Sequence, residues 1–540
     1  MARARRALHH PVMPEVPRPR RRRIGGALAV GAGIFLSRIA GLVRQRAIAH
    51  YLGLSAAADA FRAALRIPNL LQNLLGEGVL SASFIPVYAR LLAEGREAEA
   101  SRVARAVGTL LALAAAVIAL LGVVAAGPLV KVLVPGWHGE SRELTIELVR
   151  ILFPGVAVLV LSAWCLGVLN SHRRFFLSYV SPVLWNTALI AAAILAGRRL
   201  AGHDDQQALW LAWGAVIGSA AQFLIQLPTV IALLRGITPS LAVRDPGVRT
   251  TLRAFVPVLL GRGSVQLSGY IDQVIASFLR KGIIAAMSNA QTLYLLPVSL
   301  FGMAVSAAEL PEMSSATGDA SARAEQLQQR LRPALRRVVF LVVPSAVAFV
   351  TMGGAIVALL FQGGRFSAHD TNVVWMILAG SALGLSAGTQ GRVINSAFYA
   401  LHDTYRPLYA ALVRVVITGA AGLAFAMPIR HALGYSDAWG AFGLTASAGF
   451  AAWIEFLLLD HWLGKRIGKV PVPGKLGLGA LAVASLAGAA GFGVWYVIGG
   501  RFLGPLLAIG VFSIVYLGVM TAAKVPEAEA FVRRISRRRR

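Results

Sequence analysis

The sequence predicts an all-α protein that crosses a membrane many times, and three observations carry that prediction. Hydrophobic residues fill 57% of the 540 positions and charged ones only 14%, against about 25% charged in an average soluble protein. Mean hydropathy is +0.66. Nine stretches of 21 to 29 residues contain no Asp, Glu, Lys or Arg, and about 20 apolar residues cross a bilayer as a helix. A disordered chain, a collagen and an ordinary soluble protein are excluded. A net charge of +29 would suggest nucleic acid in a soluble protein. Here it follows from Lys and Arg gathering in cytoplasmic loops and tails, so no nucleic-acid partner is expected. One cysteine, Cys165, excludes a disulfide framework and a Cys-based zinc site; in its apolar stretch it reads as a small packing residue. The ten histidines show no metal-ligand spacing.

The uncharged stretches lie between Arg105 and Lys131, Arg150 and Arg173, Arg174 and Arg198, Asp205 and Arg235, Lys281 and Glu309, Arg337 and Arg365, Asp370 and Arg392, Lys475 and Arg501, and Arg501 and Lys524. Five more apolar stretches are interrupted by charge, at about 24–50, 57–88, 250–279, 407–429 and 438–464, which makes fourteen spans. The N-terminal tail carries eight Lys or Arg and the C-terminal tail seven. Two basic tails favour the same, cytoplasmic side, which requires an even number of spans. With fourteen, the inner loops carry about twice the basic residues of the outer ones; Arg280-Lys281 is the outer loop that resists. Arg20–Arg23 followed by Ile24–Leu36 has the look of a signal peptide. The run continues into Arg38, Arg44 and Arg46 without a cleavage site, so a retained first span is expected.

Weak self-similarity divides the chain. Ile48–Leu52 resembles Ile275–Leu279, and Val132–Trp137 resembles Leu359–Gly364, both at an offset of 227; His172 pairs with His402 at 230. This register suggests a duplicated six-span unit. The expected organisation is a basic tail 1–23, an N-lobe 24–235, a linker 236–249, a C-lobe 250–465, two extra spans within 476–523 and a basic tail 524–540, with both lobes around a central cavity.

A charge at bilayer depth costs at least roughly 2.5–3.5 kcal/mol and usually faces a cavity. Span 1 holds Arg38, Arg44 and Arg46; span 2 holds Asp59, Arg62, Arg66 and Glu77; span 7 holds Arg262 and Asp272. Span 8 ends in Glu309 and Glu312, span 10 has Arg392, span 11 Arg414 and span 12 Glu455. The result is a net basic cavity suited to an anion, and the guanidinium fork suits phosphate. Arg46, Arg62 and Arg66 have an alternative reading as side chains that snorkel to the outer interface. Pro68 and Pro297 sit mid-span in corresponding helices and read either as hinges for alternating access or as static kinks. Gly384-Leu385-Ser386-Ala387-Gly388 matches a serine nucleophile elbow, but without an acid–histidine pair it reads as a helix-packing face. No Walker motif is present, so no ATP-dependent chemistry and no cofactor are expected; an ion gradient or the membrane potential is the expected energy source.

Ser37-Arg38-Ile39-Ala40-Gly41-Leu42-Val43-Arg44 is similar to the first-span signature of the MurJ/MviN family of the MOP exporter superfamily. Asp59-Ala60-Phe61, Ile67-Pro68-Asn69-Leu70-Leu71, Gly76-Glu77-Gly78 and Ser83-Phe84-Ile85-Pro86 continue the resemblance in order. So do Val134-Pro135-Gly136-Trp137, Ile151–Pro154, Val168–Asn170 and Phe175. The C-terminal half adds Ala276–Leu279, Leu296-Pro297 with Gly302, Gly364-Arg365-Phe366, and Phe398–Ala400 with Asp403-Thr404. The resemblance covers about residues 25 to 465. It implies fourteen helices, two six-helix lobes and a lateral groove beside spans 13 and 14 for a polyprenyl tail. The implied activity is transport, not catalysis: undecaprenyl-diphosphate-linked peptidoglycan precursor, lipid II, moved from the inner to the outer leaflet of a bacterial inner membrane. The implied partners are that lipid and, beyond it, the cell-wall synthesis machinery. Arg38, Arg44, Asp59 and Glu77 match the family's cavity positions. Gln72 and Thr292 stand where the family often has Arg, with Arg66 and Arg262 as candidate replacements. These departures leave room for a flippase of another polyprenyl-diphosphate glycan. A MATE-like drug exporter fits less well, since it keeps twelve spans and usually moves cations.

Overall fold

The computed structural model describes residues 24–537, apart from positions 237, 402 and 471–472 and parts of 304–319. The side chains of some helical residues, among them Pro68, Glu77 and Arg262, lie outside the described set, as does the His402 of the expected repeat. Among the described residues the chain is helical, with no strand. In order, the helices are α1 Ile24–Leu52, α2 Ala56–Leu75, α3 Glu77–Ala93, α4 Glu97–Val124, α5 Ala126–Leu133, α6 Glu140–Ser171, α7 Phe175–Arg199 and α8 Asp204–Leu234. Then come α9 Pro246–Ala276, α10 Ile283–Pro297, α11 Ala320–Phe361, α12 Ala368–Ala382, α13 Leu385–Ala400, α14 Tyr405–Ala424, α15 Asp437–Ile467, α16 Gly474–Ile498, α17 Leu503–Ala522 and α18 Pro526–Arg537.

Ten of these helices are long and apolar enough to cross a membrane, and the bent pair α12–α13 makes an eleventh. The other three of the fourteen expected spans fall on α1, the α2–α3 pair and α9, the helices that carry the clustered charges. Helix starts follow the local chemistry. Ser55 accepts from the Ala58 amide to cap α2, Asp245 caps α9 ahead of Pro246, and Ser367 and Asp370 form a reciprocal capping box on α12.

Contacts sort the helices into groups. α1 packs on α7, α7 and α6 on α8, and α2 and α4 on α6; α12, α13 and α14 pack on α15, and α11 on α12. α16 and α17 pair with each other and lean on α11, sharing an apolar core that includes Phe340, Met352, Ala484 and Phe512.

Three expectations about helix shape change. Span 2 breaks at Gly76 and not at Pro68: α2 runs through Pro68 to Leu75, and α3 starts at Glu77. A Cβ at Gly76 would lie 2.2 Å from the Gln72 carbonyl oxygen and 3.2 Å from Ala163 Cβ, so the break needs glycine. Pro297 does mark a change, because α10 ends there and passes into a π-helical turn, Val298–Met303. Span 10 bends by 43° between α12 and α13. Finally, part of the expected C-terminal tail is a helix, α18.

Candidate functional site

A cavity of about 450 Å³ lies where α2 meets α9, α10 and α12–α15. Arg62 and Arg66 reach it from α2, Asp272 from α9, Thr292 and Tyr294 from α10, Arg392 from α13 and Arg414 from α14. Four arginines against one lining carboxylate make the wall net basic. Arg414 donates to Glu455 on α15 at 3.0 Å. Arg62, Arg66 and Arg392 make no ion pair with a carboxylate among the described residues, within 4.0 Å. Arg62 Nε, Arg414 Nε and Asp272 Oδ1 are buried without a hydrogen-bond partner. A buried unsatisfied polar group costs about 1–3 kcal/mol, so this wall presents polar atoms that no protein group satisfies.

Two devices hold Arg66 in place. Its guanidinium stacks on Tyr270, 5.6 Å from the ring centre, and the Tyr270 hydroxyl donates to the Arg66 carbonyl at 3.0 Å. Opposite lies Gly269, where a Cβ would come 2.1 Å from Arg66 Nη2; the missing side chain makes the space. Thr292 is also on the wall, and its hydroxyl accepts from Gln45 Nε2 of α1 at 2.9 Å. A neutral hydrogen bond between lobes therefore occupies the position where the resemblance leads one to expect an arginine.

Other residues expected at the cavity sit elsewhere. Arg44 is half-buried, its guanidinium 4.8 Å from the centre of the Trp185 ring on α7, and Arg38 is exposed on α1. Neither lines the cavity. Asp59 does not face it either. Its carboxylate, 1% exposed, accepts from the amides of Gly282 and Ala285, both at 2.6 Å. These are free N–H groups at the start of α10 that no residue of α10's own N-terminus caps, so Asp59 is an N-cap supplied by the other lobe. Arg46 does not snorkel. It donates to the carbonyls of Leu359 and Leu360, at 3.0 and 2.8 Å, in the last turn of α11, where a cation complements the helix dipole. Glu77 and Arg262 lie outside the described side chains.

Asp59 and Arg46 belong to a seam that joins the lobes at one end of the bundle. There the Gly136 amide donates to Ser277 Oγ at 3.2 Å, the Arg365 amide donates to the His50 carbonyl at 2.8 Å, and Arg365 pairs with Asp204. Glycines permit the backbone approach. A Cβ at Gly136 would sit 2.4 Å from the Ser277 oxygen, and one at Gly364, where φ is +59°, 2.3 Å from the His50 oxygen. Both glycines belong to the quoted motifs Val134–Trp137 and Gly364–Phe366.

The serine motif is packing. Ser386 is buried and its Oγ accepts from Gln390, while a Cβ on Gly384 would meet Gly449 Cα at 2.4 Å. Three residues of the cavity wall, Arg62, Arg392 and Arg414, are absent from the motif-based candidates, although the cost of charge at bilayer depth flags all three.

Comparison with known proteins agrees with this architecture. The family model described as lipid II flippase MurJ matches residues 48–536. A lipid II flippase MurJ from Burkholderia cenocepacia is 33% identical over 477 residues, covering 87% of this chain and 89% of the relative. A probable lipid II flippase MurJ from Rhizobium tropici is 31% identical over 402 residues, 73% and 74% of the two chains. A solved lipid II flippase MurJ in an inward closed conformation superposes with a TM-score of 0.74 over 94% of this chain and 99% of its own, at 23% identity. An inward-facing MATE multidrug transporter of the MOP superfamily superposes at 0.65 over 82% and 98%, at 17% identity; both likenesses show the fold. The seam, the basic inter-lobe wall and the two-lobed helical bundle thus stand in a transporter, and the chain belongs to the lipid II flippase MurJ family.

Proposed function

We propose that the protein carries lipid II from the inner to the outer leaflet of a bacterial cytoplasmic membrane by alternating access, with both termini in the cytoplasm. One observation carries the substrate chemistry: four arginines from both lobes converge on one cavity, and two of their buried N–H donors lack a partner. A diphosphate supplies several acceptor oxygens and negative charge, and guanidinium forks bind it bidentately. A cationic drug would meet repulsion at the same wall, which argues against the exporter reading.

In this account Arg62, Arg66, Arg392 and Arg414 grip the diphosphate. Arg38 and Arg44, six residues apart on α1, serve the approach to the cavity, and Glu77 and Arg262 remain the further binding candidates that the family resemblance and the intramembrane charge supply. The outer end is the seam of Asp59, Arg46, Gly136 and Arg365, closed in this structure. Release requires that seam to part, with the π-helical turn after Pro297 and the break at Gly76 as the places where helices bend. The polyprenyl tail stays in the lipid beside α16 and α17, and an ion gradient or the membrane potential drives the cycle. Delivery would be to the cell-wall synthesis machinery.

Depleting the protein in its host tests the substrate: lipid II should accumulate on the inner leaflet. Accumulation of a different polyprenyl-diphosphate glycan would redirect the assignment, and the neutral Gln45–Thr292 pair in the cavity would then be the first place to look for its cause. Orientation is tested separately. A cysteine at Gly139, in a Cys165→Ser background, should react with an impermeant thiol reagent applied outside, and one at Ala320 should not; the opposite pattern overturns the topology.

A further inference from the structure

α18 has no part in the cavity or the seam, yet its construction is specific. Only three residues separate it from the end of α17, a helix long and apolar enough to cross a membrane. Ala528, Phe531 and Val532 recur at helical spacing and form an apolar stripe. Ala528 is fully buried against the bundle, whereas Phe531 and Val532 remain 38% and 39% exposed. A two-pronged bond pins the first turn: Arg336 of α11 donates to Glu527 through Nε at 2.6 Å and Nη2 at 3.0 Å. With its first turn pinned, α18 buries Ala528 on the bundle and leaves Phe531 and Val532 uncovered by the protein. Residues 526–540 contain six Arg and two Glu. Glu527 is taken by Arg336, and Glu529 by Arg533 at 3.1 Å.

We propose that α18 is an interfacial helix whose occupant is the anionic phospholipid surface, with Phe531 and Val532 seated among the headgroups and the net positive charge of residues 526–540 attracted to that surface. An amphipathic helix with a basic face binds in this way, and each basic residue near an anionic leaflet is worth about fivefold in partitioning. The Arg336–Glu527 clamp makes the contact directional: α18 is positioned beside α11 and α17, which line the core of the accessory pair, and lipid binding stiffens that flank. The inference does not rest on the identity of the transported lipid.

The test uses the full-length protein in nanodiscs. An environment-sensitive fluorophore on Phe531→Cys, with Cys165→Ser, should brighten several-fold and shift to the blue when phosphatidylglycerol is added to phosphatidylcholine. High salt should reverse the change. Replacing Arg533, Arg534 and Arg537 together by Gln should abolish it, a loss of about a hundredfold in partitioning. As a check without a label, amide exchange over 526–537 in the unmodified chain should slow in phosphatidylglycerol. Equal emission and equal exchange in both lipids would overturn the proposal. So would a response to lipid II in pure phosphatidylcholine with none to phosphatidylglycerol, which would make α18 a substrate dock.

Discussion

Asp59 offers the sharpest perturbation, because its two bonds join the lobes and exist only while the seam is closed. Each is charge-assisted, at 2.6 Å, to an amide at the start of α10. Hydrogen bonds to charged groups contribute about 1.5–3 kcal/mol each, so Asp59→Ala removes about 3–6 kcal/mol from the closed state alone. Water can replace part of this once the site opens, which favours the lower figure. At 1.4 kcal/mol per decade, the ratio of closed to open seam should fall by roughly a hundredfold. Asp59→Asn keeps one carbonyl acceptor and loses the charge, so its shift should be smaller, about tenfold. The assay is a distance distribution between spin labels at His138 and Tyr435, both exposed and on opposite lobes, in a Cys165→Ser chain. The wild type should give a narrow distribution. Asp59→Ala should add a longer population, with Asp59→Asn between them. Identical distributions in all three proteins, together with unchanged transport, would refute the claim that this carboxylate holds the lobes.

Three further outcomes follow from the geometry. Ser386→Ala should leave transport and membrane levels intact, since the hydroxyl only meets Gln390 of its own helix; a correctly inserted but inactive variant would reopen a catalytic reading. Gly364→Ala places a Cβ against the His50 carbonyl at a backbone φ of +59°, so it should loosen the seam and raise the reactivity of outer-face cysteines, measured as thiol-labelling rate. For Glu527, burial alone would raise the carboxyl, but the Arg336 fork, its own amide and the neighbouring Arg336 and Arg337 charges outweigh it and hold it below the ordinary range. A depressed carboxylate stabilises above its unfolded pKa and loses that contribution as pH falls through the folded one. Amide protection in α18, corrected for the intrinsic exchange rate at each pH, should therefore hold at neutral pH and fall only below the ordinary glutamate range, and Glu527→Gln should remove that acid step.

The bundle was legible because hydropathy is additive along the chain: runs without charge announce helices whatever their neighbours do. The site was legible only in part, because an intramembrane charge says that a partner exists and not which one. Asp59 and Arg46 carry the same sequence signal as Arg66, yet Asp59 caps α10 and Arg46 caps α11 across the lobe boundary, contacts set by residues more than 200 positions away. Arg392 and Arg414 announce themselves as charges in apolar spans, but no quoted motif contains them. Span 2 shows the limit of local rules. Proline is the stronger helix breaker, but the chain bends at Gly76, where close approach of the Gln72 carbonyl and of Ala163 on α6 leaves no room for a side chain. That constraint is tertiary. The glycines of the seam were visible as motif letters, while their purpose, letting two backbones touch, needed both lobes.

The central claim is that the four cavity arginines capture the diphosphate of lipid II for transport. It is tested most directly in a host depleted of its own lipid II flippase, scoring growth and outer-leaflet lipid II while checking membrane levels of each variant. Losing one charged bidentate contact should weaken capture by about tenfold to more than a hundredfold. Arg62→Gln with Arg414→Gln should therefore fail to restore either readout, with Arg66→Gln and Arg392→Gln each impaired. Arg→Lys at the same positions should recover part of the loss by keeping the charge without the fork. Full rescue by the Arg62→Gln, Arg414→Gln double variant, at normal membrane levels, would contradict the account and leave the basic cavity without a role in transport.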